Sequence, residues 1–304
     1  MKKIERVAIM GAGSMGLGIA MVFLEHPEYQ VTLYNRTLAN LEAAPDKIRA
    51  LAQGVNSTRC DLSRLKLANT IKDAVSDADF VLENVAEKLE LKQAVFAECE
   101  QYAPAGCIFA SNTSVKPITS IGEKLADKSR MIGAHWWNPP YLIPLVEVTQ
   151  TEATSAETIE TTMALMKAIG KVPVHVKKDR PGFVANRLQH ALWREAVYIV
   201  EAGIADAETV DLSIKNSFGA RIRVLAPLEN ADMIGLEMTK DIHSVVLADL
   251  CDAKEPSPIL DKLMAEGRGG WAAGAGFYPK WTEEDKAEVR KRLIGHLMKT
   301  LPRE

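Results

Sequence analysis

The stretch "RVAIMGAGSMGLGIAMVFLEHPEYQVTLYNRT", residues 6–37, decides the fold. It runs from a short apolar strand through a glycine turn into a helix-compatible segment, and ends in a second strand-like run, "QVTLYN". Strand, turn, helix and strand in that order are a βαβ unit. Gly11, Gly13 and Gly16 form G-x-G-x-x-G directly behind the first strand. The first glycine permits a tight turn, the second lets a pyrophosphate approach the backbone, and the third lets helix and strand pack closely. Ser14 and Met15 open the helix, so a phosphate would meet unpaired N–H groups at the positive end of the helix dipole. A dinucleotide site is expected, with a plain tight turn as the competing reading.

An NAD site asks for an acid at the end of the second strand, to bind the ribose 2′-hydroxyl. This chain has Asn35-Arg36 there. Asparagine removes the charge that would repel a 2′-phosphate, and an arginine fork beside it can pair with one. The expected cofactor is NAD or NADP, with the pair leaning toward NADP; the alternative is that Arg36 is a solvated arginine.

At 304 residues the chain can bury a large core, in one large or two medium domains. A formal net charge of -3 gives no general attraction to nucleic acid or to an anionic membrane. Cys60, Cys99, Cys107 and Cys251 lack metal or redox spacing and read as isolated reduced thiols. The first residues run straight into a strand, leaving no room for a cleavable signal. A cytoplasmic protein starting at Met1 is the expectation.

Further strands are expected at "FVLENV" and "CIFAS", with a helix between them from about Leu89. Ligands of an open parallel sheet sit at the carboxyl ends of its strands, here Glu83–Glu87 and Ser111–Ser114, Asn112 included. Lys92, one turn into the helix, is either a cofactor contact or solvated. In "MIGAHWWNPPYLIPLVEVTQ", residues 131–150, His135 follows one strand-like run and Glu147 lies inside another. A carboxylate on an apolar strand is costly unless paired, and the loop returns a histidine to it. A carboxylate-held imidazole is a competent general base near neutral pH, and the tryptophans would form a dry wall around it. A merely structural His–Glu bridge is the alternative.

Gly11–Gly16, Ser111-Asn-Thr-Ser114, His135 with Asn138-Pro139, Leu145-Val-Glu147 and "RPGFVANRLQHALWREAVYIVEAGIADAETVD" together resemble the 3-hydroxyacyl-CoA dehydrogenases over nearly the whole chain. The resemblance implies His135 as acid/base, Glu147 as its orienting group, and Ser114 and Asn186 as substrate contacts. Glu87, Lys92 and Asn138 match cofactor-side positions. It implies an α/β fold in which a Rossmann-type doubly wound domain, residues 1–180, precedes an all-α domain, residues 181–304, for substrate binding and homodimerisation.

From Arg180 the periodicity is helical. One helix closes on Gly203, a second runs from an Asp206 N-cap to a Gly219 stop, and "LENADMIGLEMTKDIHSVVLADL" continues the pattern. "GRGGWAAGAGFYPKW" lacks the lysine-serine of a phosphate loop and reads as a turn. No histidine has a metal-ligand partner, and no G-x-S-x-G elbow supports a hydrolase. Three departures bear on the substrate. The segment after the second strand is shorter than the CoA-holding arm of the resembled family, though Lys47, Arg49, Arg59, Arg64 and Lys66 are candidates for phosphates. "FGARIRVLAPLE" places Arg221 where the gulonate dehydrogenase and lambda-crystallin branch, which oxidises free hydroxy acids, also has arginine, and so offers a carboxylate clamp. Trp136-Trp137 replaces two phenylalanines and would narrow the pocket. The expected reaction interconverts a 3-hydroxyacyl(-CoA) substrate and its 3-oxo form; the alternatives are a dehydrogenase of a small free 3-hydroxy acid and a non-catalytic homologue.

Overall fold

A computed structural model describes residues 2–300. Eight strands form one sheet: β1 (Arg6–Met10), β2 (Gln30–Tyr34), β3 (Leu65–Ala68), β4 (Phe80–Glu83), β5 (Ile108–Ser111), β6 (Met131–Trp136), β7 (Leu145–Thr149) and β8 (Val172–Val176). Their order across the sheet is β3-β2-β1-β4-β5-β6-β7-β8. The first six run parallel; β7 turns back against β6, and β8 accompanies β7. The strand order reverses between β1 and β4, so the crevice of a doubly wound sheet opens at their carboxyl ends. A Rossmann-type domain followed by helices is the fold of this chain.

Alternation along the strands builds two cores. Val7, Ile9, Phe80, Leu82, Ile108, Ala110, Ile132, Ala134 and Trp136 bury one face of the sheet. Ala8, Met10, Val81, Phe109 and Met131 bury the other. Because successive side chains point to opposite faces, Glu83, Ser111 and His135 share the second face. That period puts three polar groups on one surface.

Helix α1 (Ser14–Leu24) is buried from Gly16 to Leu24, because it packs against both the sheet and the helix Ala44–Gly54. Its glycines are a fit to neighbouring backbone. Gly11 has φ +118°, and a Cβ on Gly16 would lie 1.9 Å from the Gly11 carbonyl oxygen. Gly18, which lies outside the expected motif, admits the 137–144 loop: a Cβ there would sit 2.6 Å from the Pro140 ring. The segment after β2 packs down on α1 through Leu41, Ala44, Ile48 and Ala52. Of its basic residues, Arg64 donates to the carbonyls of Leu24, His26 and Tyr29. Arg49 pairs with Asp46, and Lys66 reaches the Asp73 carbonyl. Arg64 is therefore a latch on the end of α1 rather than an open phosphate contact.

The chain divides into two compact units, Met1–Arg187 with Ile294–Glu304, and Leu188–Leu293. The division falls past Arg180 because the turn that begins there is hydrogen-bonded into the sheet unit. In the second unit the helix Ala185–Glu201 ends before Gly203, whose φ is +71°. Asp206 caps the helix Ala207–Asn216 through the Thr209 N–H. That helix stops at Ser217, ahead of the expected Gly219, which instead sits in a 3-10 turn pressed against Ile214. The segment expected to continue the helical pattern does so as two helices, Pro227–Ile234 and Leu236–Val246, separated at Gly235, φ +97°. The glycine-rich segment is a turn, held by Arg268 on the Gly276 carbonyl and by Trp281 N–H on that of Gly274.

The second unit closes very little core of its own. Val210 and Leu263 are its buried apolar side chains, and both core clusters lie in the first unit. Twenty of the twenty-eight exposed large apolar residues of the described chain fall between Leu188 and Leu293.

Candidate active site

His135 lies inside β6 rather than after it, and Glu147 is its direct cross-strand partner on β7. Opposed residues of an antiparallel pair project to the same face, so the loop need not bring the histidine back. Nδ1 of His135 lies 2.8 Å from Oε2 of Glu147, with His135 5% exposed and Glu147 fully buried. An ionised carboxylate only accepts, so Nδ1 carries a proton, and in the neutral imidazole Nε2 is the nitrogen with the lone pair.

Three more donors converge on Glu147. The backbone N–H groups of Val184 and Ala185 reach Oε1, each at 2.9 Å, and the Trp137 indole N–H reaches Oε2 at 3.4 Å. Val184 and Ala185 stand at the start of the helix Ala185–Glu201, so Glu147 acts as the anionic cap that its N-terminus otherwise lacks. The turn that delivers them uses left-handed backbone at Gly182 (φ +76°) and Phe183 (φ +49°). Positive φ is uncommon outside glycine, and here it presses the buried Phe183 ring against His135, 5.7 Å between centroids. Burial pushes the Glu147 carboxyl up, but the bond to His135, the two N–H groups and the charge of His135 outweigh it and hold the carboxyl below its ordinary value.

The expected tryptophan wall is half correct. Trp137 stacks obliquely on His135, 5.5 Å between centroids. Trp136 points to the opposite face and packs against Phe23 in the core, so it cannot narrow a pocket around His135. Strand alternation separates the two rings, and Phe183 takes the second place.

Asn186 follows Ala185, and its Nδ2 donates to the Ser114 carbonyl at 2.8 Å. His135, Glu147, Asn186 and Ser114 are thus joined by one chain of contacts, while the Ser114 hydroxyl makes no hydrogen bond among the described residues. The carboxyl ends of β4, β5 and β6 are stitched by Asn112, whose Nδ2 donates to Asn84 and whose Oδ1 accepts the Trp136 N–H. Lys92 is neither solvated nor projecting outward. Its buried ammonium binds both oxygens of Glu83, at 2.8 and 3.0 Å, and Glu87 at 3.1 Å. Ser111 and the Val85 N–H complete the shell of Glu83, and Glu87 accepts from Thr113. Burial pushes the Glu83 carboxyl up against the opposing pull of Lys92, Ser111 and Val85. Glu83 was legible only as a strand end; a carboxylate closing an apolar strand nine residues before a lysine was its signal.

The Asn138–Pro139 peptide is cis. The loop beyond it is held by Lys171 on the carbonyls of Pro140 and Ile143. Asn35 accepts the Thr37 N–H with its side chain, and Arg36 is exposed. Arg221 is also exposed, in the second unit. Among the described residues no disulfide joins the four cysteines, and Cys99 and Cys107 are buried. Among the described residues no group of side chains could hold a metal, and no helix is long and apolar enough to cross a membrane.

A doubly wound sheet with a glycine turn at its switch point is the architecture of the dinucleotide-binding class. Residues 6–180 match the NAD binding domain of 3-hydroxyacyl-CoA dehydrogenase, and residues 182–280 match its C-terminal domain. The chain belongs to this family of NAD-dependent dehydrogenases acting on a hydroxyl group. It is similar to 5-formyl-3-hydroxy-2-methylpyridine 4-carboxylate 5-dehydrogenase of Mesorhizobium japonicum, 35% identical over 96% of each chain. It is 38% identical to L-carnitine dehydrogenase of Streptomyces coelicolor, over 88% of this chain and 93% of that one. A probable 3-hydroxybutyryl-CoA dehydrogenase of Bacillus subtilis is 34% identical, over 91% and 97%. A crystal structure of the pyridine carboxylate dehydrogenase, described as an NAD+ dependent dismutase, superposes with a TM-score of 0.89 at 33% identity, covering 99% of this chain and all of that one.

A carboxylate depressed in the folded state contributes stability that is full above its ordinary value of 4.5 and is lost as pH falls through the folded value. Glu147→Gln should therefore lower Tm by several degrees near neutral pH, and the gap to the parent should shrink as the pH drops below that value. Thermal unfolding followed by circular dichroism checks this; a gap that widens toward acid contradicts it.

Proposed function

We propose that the chain interconverts a 3-hydroxyacyl-CoA ester and its 3-oxo form. The observation that carries the reading is the Nδ1–Glu147 bond, which leaves Nε2 of His135 as a base. In the oxidative direction Nε2 takes the hydroxyl proton, and Glu147 stabilises the resulting imidazolium. The free Ser114 hydroxyl and the second amide hydrogen of Asn186 are the donors assigned to the reacting oxygen, where they stabilise developing negative charge. In the reverse direction the imidazolium returns the proton.

The glycine turn fits a dinucleotide. A Cβ on Gly13 would meet nothing within 4 Å, and α1 has neither a side-chain cap nor an acid in its first turn, so its N–H groups are open to a phosphate. Gly11, Gly13, Ser14, Met15 and Gly16 would hold the pyrophosphate, and Asn35 and Arg36 would meet the adenosine ribose. Glu87, Asn112 and Asn138 would border the nicotinamide side, with Lys92 fixing Glu87 from behind. Bound there, the cofactor supplies the hydride acceptor.

A second reading, a substrate with a free carboxylate, is favoured by the exposed Arg221 and by two similar dehydrogenases whose names specify L-carnitine and a pyridine 4-carboxylate. We assign residues 1–180 to the dinucleotide and residues 181–304 to substrate binding and dimerisation. The support for a dimer is the second unit's own deficit: helices with so few buried apolar side chains need a partner surface, and a second copy offers the same helices.

His135→Gln should lower kcat for acetoacetyl-CoA reduction by about 10²-fold or more; turnover within tenfold of the parent removes the assignment. In thermal-shift titrations NADPH should raise Tm more than NADH, and Arg36→Ala should abolish the difference. Further stabilisation by acetoacetyl-CoA favours the CoA ester. Stabilisation by a free 3-oxo acid, lost in Arg221→Met, favours the second reading. Sedimentation equilibrium should give twice the chain mass at micromolar concentration; a stable monomer would refute the dimer.

A further inference from the structure

The donors on Glu147 are unequally placed. Oε1 holds two backbone N–H groups, while Oε2 is shared by the His135 imidazole at 2.8 Å and the Trp137 indole at 3.4 Å. A phenyl ring at this position would have no N–H to offer. The indole also lies against the imidazole, so one side chain both bonds the carboxylate and flanks the base.

We infer that Trp137 is a positioning residue that tempers the His135–Glu147 pair: its N–H draws charge from Oε2 and weakens the hold of that oxygen on the imidazolium. The inference rests on the acid/base reading of His135 and deepens it. A hydrogen bond to a charged acceptor in a low-dielectric site is stronger than one between neutral groups. Two donors on one oxygen compete for the same negative charge. Remove the indole N–H, and the carboxylate acts on His135 alone at that oxygen.

The surroundings leave this competition undisturbed. From β6 comes His135 itself and from β7 Glu147; β8 sets Val174 beside Glu147 in the register. The turn contributes the apolar Phe183 ring and the helix Ala185–Glu201 its neutral N–H groups and Asn186. Among the described residues His135 is the titratable side chain bonded to Glu147.

The test is a pH titration of the His135 ring by histidine-selective nitrogen NMR of the full chain without ligands, with the signal assigned through His135→Gln. Trp137→Phe keeps an aromatic face and removes the N–H. Replacement of Trp137 by benzothienylalanine removes only the N–H and keeps the bicyclic shape, which decides the matter if the phenylalanine variant fails to fold. The expected result is a midpoint higher by roughly half a pH unit, with the alkaline limb of kcat/KM for acetoacetyl-CoA reduction, which needs the imidazolium, moving the same way. An unmoved or lower midpoint in the benzothienyl protein overturns the inference. If the midpoint rises while His135→Gln retains full turnover, the acid/base reading fails and the tempering by Trp137 stands.

Discussion

The Glu147 carboxylate is the constraint on which the rest of the site depends. A buried anion is tolerated only when its lone pairs are satisfied, and Glu147 answers that requirement with donors from three places in the chain: β6, the loop behind it, and the start of the helix Ala185–Glu201. Each donor is fixed by being needed. His135 is held in one tautomer, the 180–185 turn adopts left-handed backbone to present its N–H groups, and Asn186 is carried along to meet Ser114. A single desolvated charge thus organises residues more than seventy positions apart in sequence.

A second buried charge works the same way at the neighbouring strand ends. Glu83 and Lys92 neutralise each other beneath β4, and Lys92 turns its remaining capacity to Glu87, which in turn holds Thr113 beside Ser114. Ion pairs so deeply buried contribute little net stability, since desolvation offsets attraction. Their value is geometric. They fix the loops after β4 and β5, where a parallel sheet exposes its ligand-binding edge, and Asn112 ties those loops to β6.

The sequence made the glycine turn legible because each glycine there answers a steric demand that local spacing reveals. It made His135 and Glu147 legible because a carboxylate on an apolar strand must find a partner. It did not reveal that the two are register partners, since β6 and β7 could be paired only in three dimensions, nor that Trp136 and Trp137 part company, which follows once His135 is inside the strand. Gly18 was hidden because the ring it admits is more than a hundred residues away. The fate of Lys92 and Arg64 was equally illegible: a long basic side chain reads as solvated until the backbone closes carboxylates or carbonyls around it.

The helical unit shows the opposite limit. Helix caps at Asp206 and Gly203 are local chemistry and were readable, whereas Gly235 breaks an apolar pattern that gives no hint of two helices. The amphipathic spacing of these helices says that each has a face to bury, but spacing is silent about what buries it. Within the chain the answer is very little, since Leu228, Leu236 and Val245 stay largely exposed. In the sheet unit the inner strands β1, β4, β5, β6 and β7 find both faces covered by their own chain, while the edge strands β3 and β8 stay partly open, so the pattern and the fold agree where the core lies. Where pattern and burial disagree over a whole set of helices, the proposed dimer would supply the missing surface, because each copy repeats the same apolar faces.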